Sequence, residues 1–454
     1  MVCFIAVVVA IQAPAGERMS IRGLGMAHTY IGMAKGLDAV GINPADLDVE
    51  DATVSFSLMS AGVHAGSDFL SYGLYTKYFT GVPSATGNEA KYLTDADKND
   101  ILNSFPRGGG VLDMDAEARP FGIALKLGIG SMAATVTEVA SVSLRVPSDY
   151  VRFLFFGNQP NSMYDFSQSK VQAWWLREYA LTFATTLEQI QGLPELSLGI
   201  AVKLVHGYGY ADLERFDSKF VTSSNGMLYG SINMRSRTAG IDPIAGSQRS
   251  PYAPFPAPAG VGYGLDIGAS AKLSPGVRVG MSITDIGAIV WTRNIREAVA
   301  ETTLVVDDPL DQEKRDQVER ALEGKSGPGG SFKTPLPTTI RTGVSFELRR
   351  VEFLGKLIPG EMTVGCDLSQ IVFDVPGSFS GTRLSCGAEW RPWTFLPLRT
   401  GISMGGSDHQ NFALGLGIHA GFFAFDIASE NLGWLLSPDN FSYASVSAGF
   451  TFRF

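Results

Sequence analysis

Five histidines, His28, His64, His206, His409 and His419, are the side chains of this sequence best suited to proton transfer. Nucleophilic catalysis would need one of them beside a serine or cysteine, with a carboxylate to orient the ring. The serines of GSMA (130–133), GASA (268–271) and GGSD (405–408) lack the glycine-flanked turn between strand and helix that exposes a nucleophile. The chain is therefore read as a non-enzyme. Its three cysteines include no pair at zinc or redox spacing. Cys366 and Cys386 fall in two candidate strands and read as small apolar filler, with a disulfide between neighbouring strands as the alternative. The acidic pair Asp307 and Asp308 lacks the ligand spacing of a cation loop, so neither a metal site nor a cofactor is expected.

The elements that would position any such group follow from composition and alternation. Charged residues make up 18% of the 454-residue chain, below the roughly 25% usual for soluble domains. There are 52 Gly and 28 Phe, more glycine than the 36 Lys plus Arg. The net charge of -9, with no dense basic run, argues against nucleic acid as a partner. Residues 2–11 form a short apolar run followed by Ala13, Pro14 and Ala15. This reads as a signal peptide over 1–15, although a basic start is missing. A spanning helix needs roughly 20 apolar residues, and no segment qualifies, so a membrane setting would require a closed barrel.

Period two recurs along the chain. In FGIALKLGIG (121–130), Phe121, Ile123, Leu125 and Leu127 oppose Gly122, Ala124, Lys126 and Gly128. In ELSLGIAVKL (195–204), Leu196, Leu198, Ile200 and Val202 oppose Ser197, Gly199, Ala201 and Lys203. A soluble sandwich also alternates, but its wet face carries Thr, Lys and Glu in quantity. Here the second parity is mostly Gly, Ala and Ser, which suits a barrel interior holding an inserted segment. The ending SVSAGFTFRF (445–454) keeps Val446, Phe450, Phe452 and Phe454 in one stripe, as the closing strands of bacterial outer-membrane barrels do.

Strands are expected near 52–60, 68–78, 120–130, 132–145, 195–209, 225–235, 262–273, 277–292, 340–350, 361–373, 382–391, 396–405, 410–420, 422–430 and 443–454. The fold class is all-β, a transmembrane antiparallel barrel of about 14 strands, with 16 as the alternative, spanning 51–454. Long loops are expected around 79–118, 146–194, 236–261 and 294–338. A helix capped by Thr94 is expected over 93–105, and a charged helix over 307–323. Residues 168–190, with Val171, Trp174, Trp175, Tyr179 and Leu181 at near-helical spacing, read as a loop helix packed in or over the barrel mouth. Ligand contact by Trp174 and Trp175, or anchoring at the lipid interface, are the alternatives.

The stretch 19–47, MSIRGLGMAHTYIGMAKGLDAVGINPADL, breaks the alternation. Gly25, Met26, Ala27, Tyr30, Ala34, Asp38 and Asn43-Pro44-Ala45 resemble the N-terminal region of the FadL-type superfamily of outer-membrane transporters, which includes PorV-like barrels. Within it the chain most resembles a branch from Bacteroidetes and Chlorobi, a likeness carried by YGLYTKYFTG and LTDADKNDILNSF (72–105). Ala27 and Asp46 stand where that pattern has glycine. The resemblance implies an N-terminal plug over 16–50 that leaves through Asn43-Pro44-Ala45 into the first strand.

Within such a plug, Arg22 or His28 could meet a carboxylate ligand. A salt bridge to wall carboxylates at Glu138, Asp266 or Asp367 is the favoured use, since buried charges need partners. Asp38 and Asn43 are the other plug candidates, and Pro44 fixes the exit turn. Two functions are carried forward. One is passive transport of a hydrophobic or amphipathic small molecule. The other is a non-transporting barrel that binds or shuttles partner proteins in a secretion or surface-assembly machine. The partners implied are outer-membrane lipid, a hydrophobic small-molecule ligand, and an envelope protein.

Overall fold

A computed structural model describes residues 18–47, 52–84, 87–190, 193–241, 257–307, 311–350, 358–377, 381–405, 410–430, 432, 439 and 442–454. The expected signal peptide at 1–15 lies outside the described residues, as does most of the Pro-rich stretch after Ile241.

Fourteen strands pair antiparallel, each with its sequence neighbour, and the last pairs with the first. They are β1 (Val54–Ser67), β2 (Gly110–Leu127), β3 (Gly130–Val146), β4 (Lys170–Ile190), β5 (Leu193–Phe216), β6 (Gly260–Ser274) and β7 (Val277–Trp291). The second half is β8 (Thr339–Glu347), β9 (Glu361–Ile371), β10 (Gly381–Trp393), β11 (Leu396–Gly405), β12 (Gln410–Ala420), β13 (Phe423–Glu430) and β14 (Tyr443–Arg453). Closure runs from Ser55 opposite Arg453 to Gly66 opposite Tyr443. The ring leaves no exposed edge. The 14-strand expectation stands over the 16-strand alternative.

The burial pattern is inside-out. Leu198, Ile200 and Val202 are about half exposed, whereas Ser197, Ala201 and Lys203 on the other parity are buried. Ile267 and Met281 point outward, while Asp266, Ser270 and Ser282 point into the lumen. Phe56, Phe422, Phe450, Phe452 and Phe454 stack outside the closing strands, forming part of an aromatic girdle at one rim. Two-residue turns at 128–129, 275–276, 394–395 and 421–422 lie at that same rim. The long connections lie at the other rim.

Those connections carry their own structure. Helices α2 (Tyr72–Tyr78) and α3 (Asp95–Asn103) belong to the first, and α4 (Ser148–Phe156) to the second. The Thr94 hydroxyl and backbone N–H engage Asp97 as a capping box and hold its carboxyl below the usual range. Strands 228–239 and 295–306 pair with each other, and the first continues the top of β5, so a sheet stands above the wall. Tyr164, Phe166, Phe220, Ile232 and Leu304 form its core, and the charged helix Gln312–Glu323 lies against it through Val318 and Ala321.

Five expectations change. Residues 170–190 are the wall strand β4, not a loop helix, so the second long connection is 147–169 rather than 146–194. Alternation there is intact, with Gln172, Trp174, Leu176 and Glu178 inward. It was obscured because both parities carry large apolar side chains. Residues 72–78 form a helix rather than a strand, because the Ser71 hydroxyl caps the Leu74 N–H at 3.1 Å. The strand near 225–235 exists but stands off the wall. β2 also begins at Gly110, inside the loop expected over 79–118. Cys366 and Cys386 are directly opposite on β9 and β10, facing outward, and form a disulfide instead of standing as free filler.

Depth in the bilayer gives a direct check. Ile267 lies midway along β6, and Leu273 is next to the short turn, both facing outward. Ile267→Lys should cost about 2–4 kcal/mol of folding stability in lipid and Leu273→Lys about 0–1. Reversible urea unfolding in liposomes measures both.

Candidate functional site

Residues 18–47 lie inside the ring and touch inward side chains on most of its strands. The segment has a small core of its own, formed by Met26, Tyr30, Ile31, Met33, Ala34, Ala39 and Ile42. Ser20 caps the single turn α1 (Ile21–Leu24), and Asn43 caps the Pro44–Asp46 turn, its side chain accepting from the Ala45 N–H at 3.2 Å. The wall admits the segment by giving up side chains. Any side chain at Gly401 would strike Met26, and one at Gly268 would strike Asn43. The Gly- and Ala-rich inner parity read from the sequence is the surface that accommodates it.

The segment is tied to the wall mainly by charge and hydrogen bonds. Arg18 reaches Glu178 on β4 at 2.6 Å and Asp285 on β7 at 3.1 Å. Arg22 makes a two-armed pair with Glu389 on β10, at 2.7 and 2.8 Å. His28 Nε2 lies 2.9 Å from a Glu430 carboxylate oxygen on β13. Backbone N–H groups of Tyr30 and Ile31 donate to Asp367 on β9. The Asn43 amide donates to Asp46 and to Ser270 on β6. Arg119 on β2 donates to the carbonyl oxygens of Leu37 and Val40. Guanidinium–carboxylate forks of this kind are the stronger class of hydrogen bond. Apolar contact adds Leu37, Val40 and Leu47 against Ala124, Ala133, Ala180 and Ala184.

The sequence-derived candidates therefore divide. Arg22, His28 and Asn43 all meet the wall, and Pro44 packs beside Gly199 and Gly268. Asp38 instead borders an open cavity at the short-turn rim. Of the proposed wall partners, Asp367 holds the segment through its backbone, while Asp266 pairs with Lys203 at 2.8 Å. Glu138 is on the outward parity of β3, where Arg177 and the Trp175 indole N–H satisfy it at 2.5 and 2.9 Å. Trp174 points inward and packs with Tyr210, Trp291 and Leu336 below the sheet at the long-loop rim, the extracellular rim in outer-membrane barrels, whereas Trp175 faces outward beside Tyr208. Sequence reasoning missed Arg18, Glu389 and Glu430. The only signal available for them was a lone charge on an otherwise small-residue parity.

Space inside follows this packing. Between the segment and the wall, a void of only about 10 Å³ is bounded by Arg18, His28, Tyr30, Arg341 and Asp367. A cavity of about 700 Å³ opens at the short-turn rim below the segment. Replacing Gly401 with Val should push Met26 off the wall. The variant should still fold as a barrel, but its 18–47 segment should become open to protease, read by mass spectrometry of limited digests.

Known structures share this architecture. A TodX monoaromatic hydrocarbon channel mutant lacking S2 and S3 is 12% identical, with 96% of this chain and 98% of that one covered and a TM-score of 0.51. The toluene transporter TodX of P. putida is 10% identical over 96% and 98%, with a TM-score of 0.49. A FadL homologue of Pseudomonas aeruginosa is 10% identical over 97% and 100%, also at 0.49. At such identity the likeness is one of fold. No curated protein matches the chain. The closed ring, its apolar exterior and this fold make the molecule a bacterial outer-membrane β-barrel. The profile of one protein family matches residues 44–430, and the chain belongs to that family, described as "Family of unknown function (DUF5723)".

Proposed function

We propose that the barrel passively admits a hydrophobic or amphipathic small molecule, with residues 18–47 acting as a movable plug. The carrying observation is how the segment is held. Ion pairs and hydrogen bonds at Arg18, Arg22, His28, Asn43 and Asp367 tie it to a polar wall. A polar interface can exchange its partners for water when it opens, whereas a fully apolar one would lose its burial without return. The void of about 10 Å³ beside Arg18, His28, Tyr30, Arg341 and Asp367 is too small for such a molecule, so passage at that point would require a shift of the segment. The hydrocarbon channels with this fold lend the substrate class, and the fold likeness supports no finer choice among hydrophobic molecules.

The second reading is a barrel that binds or shuttles partner proteins. It is favoured by the sheet of 228–239 and 295–306 above the long-loop rim, which has its own core and needs no lumen.

A lock separates the two. Ser345 on β8 bonds the Gly32 carbonyl oxygen at 2.7 Å, and a side chain at Gly32 would meet the Ser345 side chain. Oxidised Gly32→Cys/Ser345→Cys barrels in liposomes should lose uptake of a hydrophobic probe at least about tenfold and regain it on reduction, a difference of about 1.4 kcal/mol in barrier. Wild-type barrels treated identically control for the native disulfide. Equal uptake in the locked and reduced forms would remove the plug from the route. No uptake in any form would leave the partner-binding reading.

A further inference from the structure

The cavity at the short-turn rim has a lining the transport reading does not use. Its ceiling is the 32–38 stretch of the N-terminal segment, and its sides are the ends of β1, β6 to β10 and β14. Among the described residues, six arginines and two lysines line it, against four carboxylates. The chain as a whole has the reverse balance, 36 Lys plus Arg to 45 Asp plus Glu. Positive charge is therefore concentrated at this mouth.

Internal pairing takes up Arg278, which reaches Glu195 at 2.9 Å and Asp46 at 3.4 Å, and Lys272, 3.8 Å from Glu195, and Lys35 is engaged as well; the charge left over is mainly that of Arg391 and Arg453. Glu389 serves three guanidiniums, those of Arg22 at 2.7 Å, Arg391 at 3.0 Å and Arg399 at 2.7 Å. One carboxylate cannot neutralise three, and Asp426 relieves only Arg399, at 2.6 Å. Arg453, at the end of β14, reaches no carboxylate among the described residues. The rim pairs Arg349–Glu361 and Arg350–Glu347 are exposed, and such pairs hold their partners weakly.

We propose that this mouth is a binding site for a small polyvalent oxyanion, bearing phosphate or several carboxylates, on the periplasmic side. A volume of about 700 Å³ is that of a small-molecule site, not of a macromolecular surface. Guanidinium forks match the geometry of phosphate and carboxylate oxygens. The mouth is open to water, so a single charge would be held loosely. A polyvalent anion gains from several cations at once. The site stands whether or not the lumen conducts.

The test is calorimetric titration of the full-length barrel, in nonionic detergent at low salt, with pyrophosphate. One saturable site is expected, weakened at least about tenfold in Arg391→Gln/Arg453→Gln and also by added salt. Arg453→Gln alone should give an intermediate loss, and Arg237→Gln, in the extracellular sheet, none. Heat-modifiable gel migration confirms that each variant is folded. The sequence holds a rival in Asp48, Glu50 and Asp51; were these to occupy the mouth, the wild-type barrel would bind no pyrophosphate. That result overturns the proposal, as does unchanged affinity in the folded double variant. Reconstitution in phosphatidylcholine bilayers given equal charge by phosphatidylglycerol or by the doubly charged cardiolipin separates the sources. Weaker pyrophosphate binding with cardiolipin alone assigns the oxyanion to a polyvalent lipid headgroup, and equal binding in both assigns it to a soluble solute.

Discussion

Backbone N–H and C=O groups in hydrocarbon must be hydrogen-bonded within the protein, and for strands only a closed ring satisfies them all. The pairing of β14 with β1 from Ser55–Arg453 to Gly66–Tyr443 therefore constrains everything else. It fixes which parity of each strand meets lipid, and so which must be apolar. It also places the described residues 18–47, which precede β1, where they can enter the lumen. A bulge at Met59, in the left-handed region at φ 54°, lets β1 keep both partners while its inward parity shifts from Ser55 and Ser57 to Gly62 and His64.

The interior obeys a different constraint. A polypeptide segment filling a barrel brings its own unpaired backbone groups and must find donors and acceptors on the wall. Asp367 supplies them to Tyr30 and Ile31, Arg119 to Leu37 and Val40, and Ser282 to Ile42. The charges that do this work are themselves costly to bury, so they come in networks. Lys203 sits between Asp266 and Asp285, and Arg18 joins Asp285 to Glu178. Breaking one member of such a network strands the others, which makes it a stronger constraint on sequence than on net stability.

These two constraints differ in how they write themselves into sequence. Lipid acts on one residue at a time, so the wall was legible as period two in β2, β5 and β14 with nothing else known. The lumen acts on pairs far apart in the chain. Arg22 announces a buried charge, but nothing local says that its partner is Glu389 rather than Asp266. Glu138 misled for the same reason. A carboxylate on a barrel strand is expected inside, yet Arg177 on the adjacent strand allows it to stand outside among Trp175, Tyr179 and Tyr208. β4 was hidden because Trp174 and Leu176 make its inner parity apolar near the long-loop end, where large rings pack together inside the barrel.

That packing gives the barrel two unlike ends. Toward the long loops, Trp174, Tyr210, Trp291 and Leu336 pack into an apolar core, in which the Trp291 indole N–H donates to the Thr334 hydroxyl at 2.9 Å. Toward the short turns the lumen opens wide, wet and basic. An apolar core of large rings resists hydration, so opening it costs burial that water does not return. The polar contacts around residues 18–47 can be rehydrated piecemeal. In a passive channel of this construction, the greater barrier to passage would therefore stand at the aromatic end, and the N-terminal segment would be the second gate rather than the first.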